Sequence, residues 1–120
     1  MEVPKIFESE YRFCLILWER EPVNSTKLVQ IAKEQLGWSK ATTYTVIRRL
    51  GERGVLKNEN AVVTALITKE QAQQARLNEM MEETFQGSMP AFIAAFSQSK
   101  KLTRQEVEQL QALIDSYQED

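Results

Sequence analysis

The chain has no histidine and a single cysteine, Cys14, in 120 residues. Without histidine it lacks the side chain used most often as a general base and metal ligand, and one cysteine can neither close an internal disulfide nor build a metal site by itself. Long apolar runs are also missing. The longest, "FCLILW" and "AVV", fall far short of the ~18 residues that a membrane-spanning helix needs, and the opening "MEVPKIFESE" has no basic-then-apolar signal pattern. There is no glycine-rich phosphate loop and no plausible nucleophile arrangement. No catalytic residue, metal ligand or cofactor is therefore expected, nor a membrane partner, and the cytoplasm is the expected location.

What is present is one soluble globular unit's worth of chain, 42% hydrophobic and 27% charged, long enough for a core plus an appendage. The net charge of -2 hides an asymmetry. Residues 1–58 hold 10 Lys and Arg against 7 Asp and Glu, giving +3, and residues 59–120 hold 5 against 10, giving -5. That division suits a basic N-terminal module joined to an acidic C-terminal one, since a phosphate-binding surface needs only local positive charge. Uneven scatter in a short chain would look the same.

Helix ends are readable along the chain. Tyr11, Cys14, Leu15, Leu17 and Trp18 recur at three- and four-residue steps in a helix from about Glu8 to Glu19, which Pro22 stops. Asn24 is placed to cap a second helix starting near Ser25, with Val23 and Leu28 spaced as a hydrophobic staple, Leu28, Ile31, Ala32 and Leu36 as its buried stripe, and Gly37 at the left-handed terminus. Ser39 caps a third helix reaching about Arg53 after only a short turn, the helix-turn-helix spacing. Cys14, inside an apolar stripe, reads as a small core hydrophobe.

On the third helix Thr43, Val46, Ile47 and Leu50 follow the inward-facing rule, which leaves Ser39, Lys40, Ala41, Thr42, Tyr44, Thr45, Arg48 and Arg49 outside as candidate DNA contacts. This face is hydroxyl-rich and basic, able to meet phosphates, base edges or a thymine methyl in the major groove; a solvated helix face would have the same composition. "VLKNENAVVTALI" then reads as two short strands turning around Asn58, Glu59 and Asn60, so that three helices and a hairpin make a winged helix.

Thr68 with Gln71 forms a capping box for a helix carrying Ala72, Ala75, Met80, Met81 and Phe85 and ending at Gly87, and Ser88 starts a short helix. Thr103 with Glu106, flanked by a Leu102 and Val107 staple, caps the last. The expected fold is mainly α with a small β-hairpin wing: a winged-helix DNA-binding domain over 1–67 and a helical dimerisation domain over 68–120. Met81, Phe85, Met89, Phe92, Ile93, Phe96, Leu110, Leu113, Ile114 and Tyr117 are the candidate dimer interface, because three helices with one apolar stripe each expose more than a monomer usually tolerates. The stripes could instead fold back on the winged helix of the same chain.

"SEYRFCLILWEREPVNSTKLVQIAKEQLGWSKATTYTVIRRLGERGVLK" resembles the DNA-binding half of the penicillinase-repressor family. Glu10, Leu17 and Trp18, residues 37–39 ("GWS"), Thr42, Thr45, Arg49, Leu50 and residues 53–56 ("RGVL") carry the match, and "GSMPAFIAAFSQSKKLTRQEVEQLQALI" is similar to the family's dimerisation segment. The resemblance implies a cytoplasmic homodimer that binds a palindromic double-stranded DNA operator and represses antibiotic-resistance or metal-handling genes. It also implies a sensor protease as a candidate partner, because the antibiotic-responsive branch is cut at an Asn-Phe bond whose matching positions here are Ala95 and Phe96. The wing reads "NEN" where the family has Gly-Arg, and no cysteine follows Cys14, so the copper-responsive branch's cysteine-rich tail has no counterpart. A winged helix used only for protein contact, with little DNA affinity, is the other reading.

Overall fold

A computed structural model describes residues 2–117. They form α1 (Glu8–Arg20), β1 (Val23–Asn24), α2 (Ser25–Leu36), α3 (Lys40–Glu52), β2 (Leu56–Glu59), β3 (Val62–Ala65), α4 (Lys69–Phe85), α5 (Met89–Ser99) and α6 (Arg104–Ser116). Two compact units result, one ending at Leu77 and the next beginning at Asn78.

In the first unit the helix ends are set by their caps. The Asn24 side chain accepts from Thr26 N–H at 2.8 Å, satisfying a donor that the first turn of α2 leaves without an intrahelical partner. Gly37, at φ 71°, closes α2 in the left-handed conformation that glycine adopts without a Cβ penalty. Its neighbour Trp38 donates its N–H to Ala32 O at 3.3 Å, and the Trp38 ring stacks on Phe13 with centroids 5.7 Å apart.

Phe13, Cys14, Leu17, Leu28, Ile31, Val46, Ile47, Leu50, Val55, Leu56 and Val63 interlock as the core. Each such side chain contributes roughly 1.5–3 kcal/mol on burial. In α1 the buried apolar set is Phe13, Cys14, Ile16 and Leu17, a face rotated about the helix from the expected stripe, while Tyr11, Leu15 and Trp18 are only half-buried. Trp18 nevertheless has a fixed place, its Nε1–H donating to Ile67 O at 2.9 Å. Burial pushes the Cys14 thiol up from 9.0 to about 12, with Glu10 adding to the shift and Arg53 opposing it.

The wing is a three-stranded antiparallel sheet in the order β1-β3-β2. Its turn lies one step later than expected: Asn58 and Glu59 belong to β2, Glu59 faces Val62, and Asn60 and Ala61 take positive φ of 53° and 65°. Two successive residues of that hand match the right-handed twist of the strands, as in a type I′ turn. The sequence reading missed β1, which pairs Val23 with Val63 and Asn24 with Val62. Ser25 N–H donates to Ala61 O at 2.7 Å beside it.

The first unit runs ten residues past the expected boundary at 67, because the start of α4 packs within it. Ala72 is buried, and the Arg76 guanidinium sits 3.9 Å from the Tyr11 ring centroid and pairs with Glu8 at 2.8 Å.

The second unit contains the end of α4, with α5 and α6. Gly87, at φ 78°, follows α4 where a Cβ would come within 3.0 Å of Glu82 Oε1. Ser88 caps α5, accepting from Ala91 N–H at 3.1 Å. Thr103 and Glu106 form the reciprocal box on α6 at 3.1 and 2.9 Å, and the backbone hydrogen bond from Thr103 holds the Glu106 carboxyl below its usual range. Phe92 packs edge-on to Phe85, centroids 5.5 Å apart, and lies 6.1 Å from Phe96.

Candidate nucleic-acid interface

The outer face of α3 is positioned from both ends. At its start, Ser39 Oγ accepts from Thr42 N–H at 3.1 Å and donates to Thr42 Oγ1 at 3.0 Å, while the buried Thr43 donates its hydroxyl to Ser39 O at 3.0 Å. At its end, Arg53 pairs with the buried carboxylate of Glu10 and donates to Lys5 O at 2.7 Å, with its guanidinium 5.3 Å from the Phe7 ring centroid. Glu10 Oε1 also accepts from Phe7 N–H at 2.9 Å. Removing one member of such a pair leaves a buried charge uncompensated, so Glu10 and Arg53 fix how the C-terminal end of α3 meets α1. Sequence reading assigned neither residue this part; the available signal was that Glu10 falls three and four residues before Phe13 and Cys14, on the same face of a core-facing helix.

Between these anchors, Thr43, Val46, Ile47 and Leu50 are buried as the spacing predicts. Ser39, Lys40, Ala41, Thr42, Arg48 and Arg49 are exposed, and Tyr44 and Thr45 half-buried. The candidate contacts therefore occupy one continuous outward surface. Beside it, Tyr44, Ile47, Arg48, Gly51 and Glu52 of α3 face Leu56 and Asn58 of β2 across a groove of about 480 Å³. Arg48 Nη1 lies 3.3 Å from Glu52 Oε1, and on the wing Lys57 Nζ lies 3.8 Å from Glu59 Oε2.

In the second unit, Met81 is buried within the chain and Phe85, Phe92, Ile93 and Leu110 are half-buried. Met89, Phe96, Leu113, Ile114 and Tyr117 are exposed, the last three by 67, 67 and 76%. Ala95 and Phe96 both lie in the body of α5 and are exposed. Among the described residues no group of three or more acidic or cysteine side chains could hold a metal ion, and no helix is long and apolar enough to cross a membrane.

Comparison with known proteins places these features in a family. The sequence profile of the penicillinase repressor family matches residues 6–116. The penicillinase repressor of Bacillus licheniformis is 18% identical over 120 residues, covering 97% of this chain and 94% of that protein. The methicillin resistance regulatory protein MecI of Staphylococcus aureus is 20% identical over 115 residues, covering 92% and 94%. An uncharacterized 16.5 kDa protein of Latilactobacillus sakei is 26% identical over 114 residues, covering 92% of this chain and 78% of its own. Among solved structures, monomeric BlaI of Bacillus licheniformis in complex with the blaP half-operator superimposes with a TM-score of 0.52 at 23% identity, covering 58% of this chain and 90% of that one. With the family profile spanning nearly the whole chain and the winged helix shared with BlaI, this protein belongs to the penicillinase repressor family of DNA-binding transcriptional regulators, which are not enzymes.

Proposed function

We propose that the chain acts in the cytoplasm as a homodimeric repressor of a palindromic operator, its winged helix reading DNA and its C-terminal helices pairing two copies. The observation that carries this reading is the continuous outward surface of α3, where short hydroxyl side chains precede two arginines. If α3 enters the major groove N-terminus first, Ala41, Thr42, Tyr44 and Thr45 approach base edges and Arg48 and Arg49 meet phosphates. Homodimerisation is supported by the exposed apolar side chains of α5 and α6, whereas Met81 is already buried within the chain and is not part of that exposed set. Relatives named for penicillinase and methicillin resistance favour antibiotic-resistance genes over metal-handling ones as targets. A sensor protease acting at Ala95-Phe96 would need α5 to open locally, since both residues are helical.

Sequences recovered with the protein from a random duplex library supply the operator, and binding at several salt concentrations then tests the face. Arg49→Ala should weaken operator and random DNA by similar factors and reduce the salt slope by about one. Thr45→Ala should leave the slope nearly unchanged and relax preference at one or two base pairs per half-site. The assignment fails if the two substitutions exchange effects. If neither matters, the face is solvated scaffold and a protein-contact module becomes the better account.

A further inference from the structure

Arg48, which lines the groove between α3 and β2, and Lys57, which alternates with the groove residues Leu56 and Asn58 and so points to the other face of β2, are both already held by carboxylates. Arg48 is tied to Glu52 one turn along α3, and Lys57 to Glu59 two residues along β2. All four side chains are at least half exposed, with relative accessibilities of 64 and 63% in the first pair and 50 and 71% in the second. Exposed pairs of this kind add little to folding, so stability gives scant reason for carboxylates at these positions. Their electrostatic effect on an approaching polyanion is larger. A backbone phosphate must displace Glu52 from Arg48, and afterwards the freed carboxylate remains beside the phosphate as a like charge.

We propose that Glu52 and Glu59 are affinity-limiting residues of the DNA-binding face, each restraining a phosphate-binding cation. This rests on the DNA-binding reading above. Phosphates are the same in every sequence, so the restraint lowers affinity for all duplexes by a common factor and leaves discrimination to the N-terminal half of α3. The chain's acidic residues on this surface then keep it from adhering to bulk DNA, and the operator is bound through contacts that random DNA does not offer.

The test uses the full chain and a random-sequence duplex of about 30 base pairs, with binding followed by fluorescence anisotropy between roughly 50 and 200 mM salt. Glu52→Gln should tighten binding about threefold at the lowest salt and Glu59→Gln about twofold, with the gain fading as salt screens the surface. The double variant should show the product of the two and a salt slope steeper by up to about one. Glu83→Gln, which changes net charge equally but lies in the second unit, should leave affinity within about 1.3-fold. The proposal is overturned if Glu52→Gln and Glu59→Gln leave binding unchanged or weaken it, or if Glu83→Gln gives the same gain. A parent protein with no salt-sensitive DNA binding defeats the DNA-binding reading and this one together, whereas a salt-sensitive parent with unresponsive carboxylate variants defeats this one alone.

Discussion

Up to Leu77, the apolar side chains of the helices and the sheet meet one another, and Phe13, Leu17, Leu28, Leu50 and Val63 are wholly covered. From Asn78 onward, Met81 is the one buried apolar residue among the described residues, while Leu113, Ile114 and Tyr117 stand largely in solvent. Both units are built from amphipathic helices with good caps, so local helix signals do not separate them. The difference lies in how many faces converge. In the first unit three helices and a sheet close around a common centre; in the second the stripes lack enough opposing surface within the unit. An amphipathic pattern thus specifies that a face needs covering and leaves open what covers it.

The sharpest way to break this comparison is to delete equivalent groups from both units. Leu50→Ala should cost about 3–4 kcal/mol in denaturant unfolding, because a wholly buried side chain leaves a cavity. Ile114→Ala should cost less than about 0.5 kcal/mol at dilutions where the protein is monomeric. Equal costs at such dilution would mean that the second unit has a core of its own. At higher concentration the second unit's apolar groups should register in association. Phe92→Ala and Phe96→Ala should each weaken a dimer by about 2–3 kcal/mol if they lie at its centre. Sedimentation should then find monomers where the parent is dimeric, and a double variant that stays fully dimeric would place the interface elsewhere.

A smaller effect sharpens the account of the first unit. Because the Cys14 thiol titrates near 12 in the folded chain against 9.0 for an ordinary thiol, the native state keeps its proton where the unfolded chain loses it. Its contribution to stability is complete below pH 9.0 and declines as pH rises toward about 12. Cys14→Ala should remove that part of the alkaline decline, measured as the difference between the two unfolding curves against pH. Superimposable slopes would show a thiol in contact with water. The smallest effect belongs to the wing: Ala61 at φ 65° occupies a conformation unfavourable for any residue with a Cβ. Ala61→Gly should raise stability by about 0.5–1 kcal/mol after allowing for the looser unfolded chain, and a lowered melting temperature would show that the Ala61 methyl makes compensating contacts.

The parts legible in the sequence were those fixed by neighbours a few residues apart. Asn24, Ser39, Ser88 and Thr103 all cap the helices assigned to them, and the inward set of α3 follows from helical spacing alone. What escaped depended on distant chain. β1 is two residues long, too short to display any alternation, and exists because β3 lies alongside. In α1 every residue from Phe13 to Trp18 is apolar, so periodicity could not choose the buried face; the packing of α2, α3 and the sheet chose it. The unit boundary inside α4 likewise depends on Arg76 reaching Glu8 and Tyr11, 68 residues away for the ion pair. For the candidate interface, the outward residues of α3 were readable as a surface, but the restraint of Arg48 by Glu52 and the anchoring of Arg53 by Glu10 required coordinates.

The strand β1 changes what kind of object the wing is. A hairpin attached only through its own ends would fray independently, and its amides would exchange with solvent faster than those of the helices. Here the central strand β3 is bonded on its far side to Val23 and Asn24, immediately ahead of α2, and the turn residue Ala61 accepts the Ser25 N–H. The wing and the first turn of α2 should therefore exchange their amide hydrogens as one cooperative block, with the Ser25 amide protected to the same degree as those of β3.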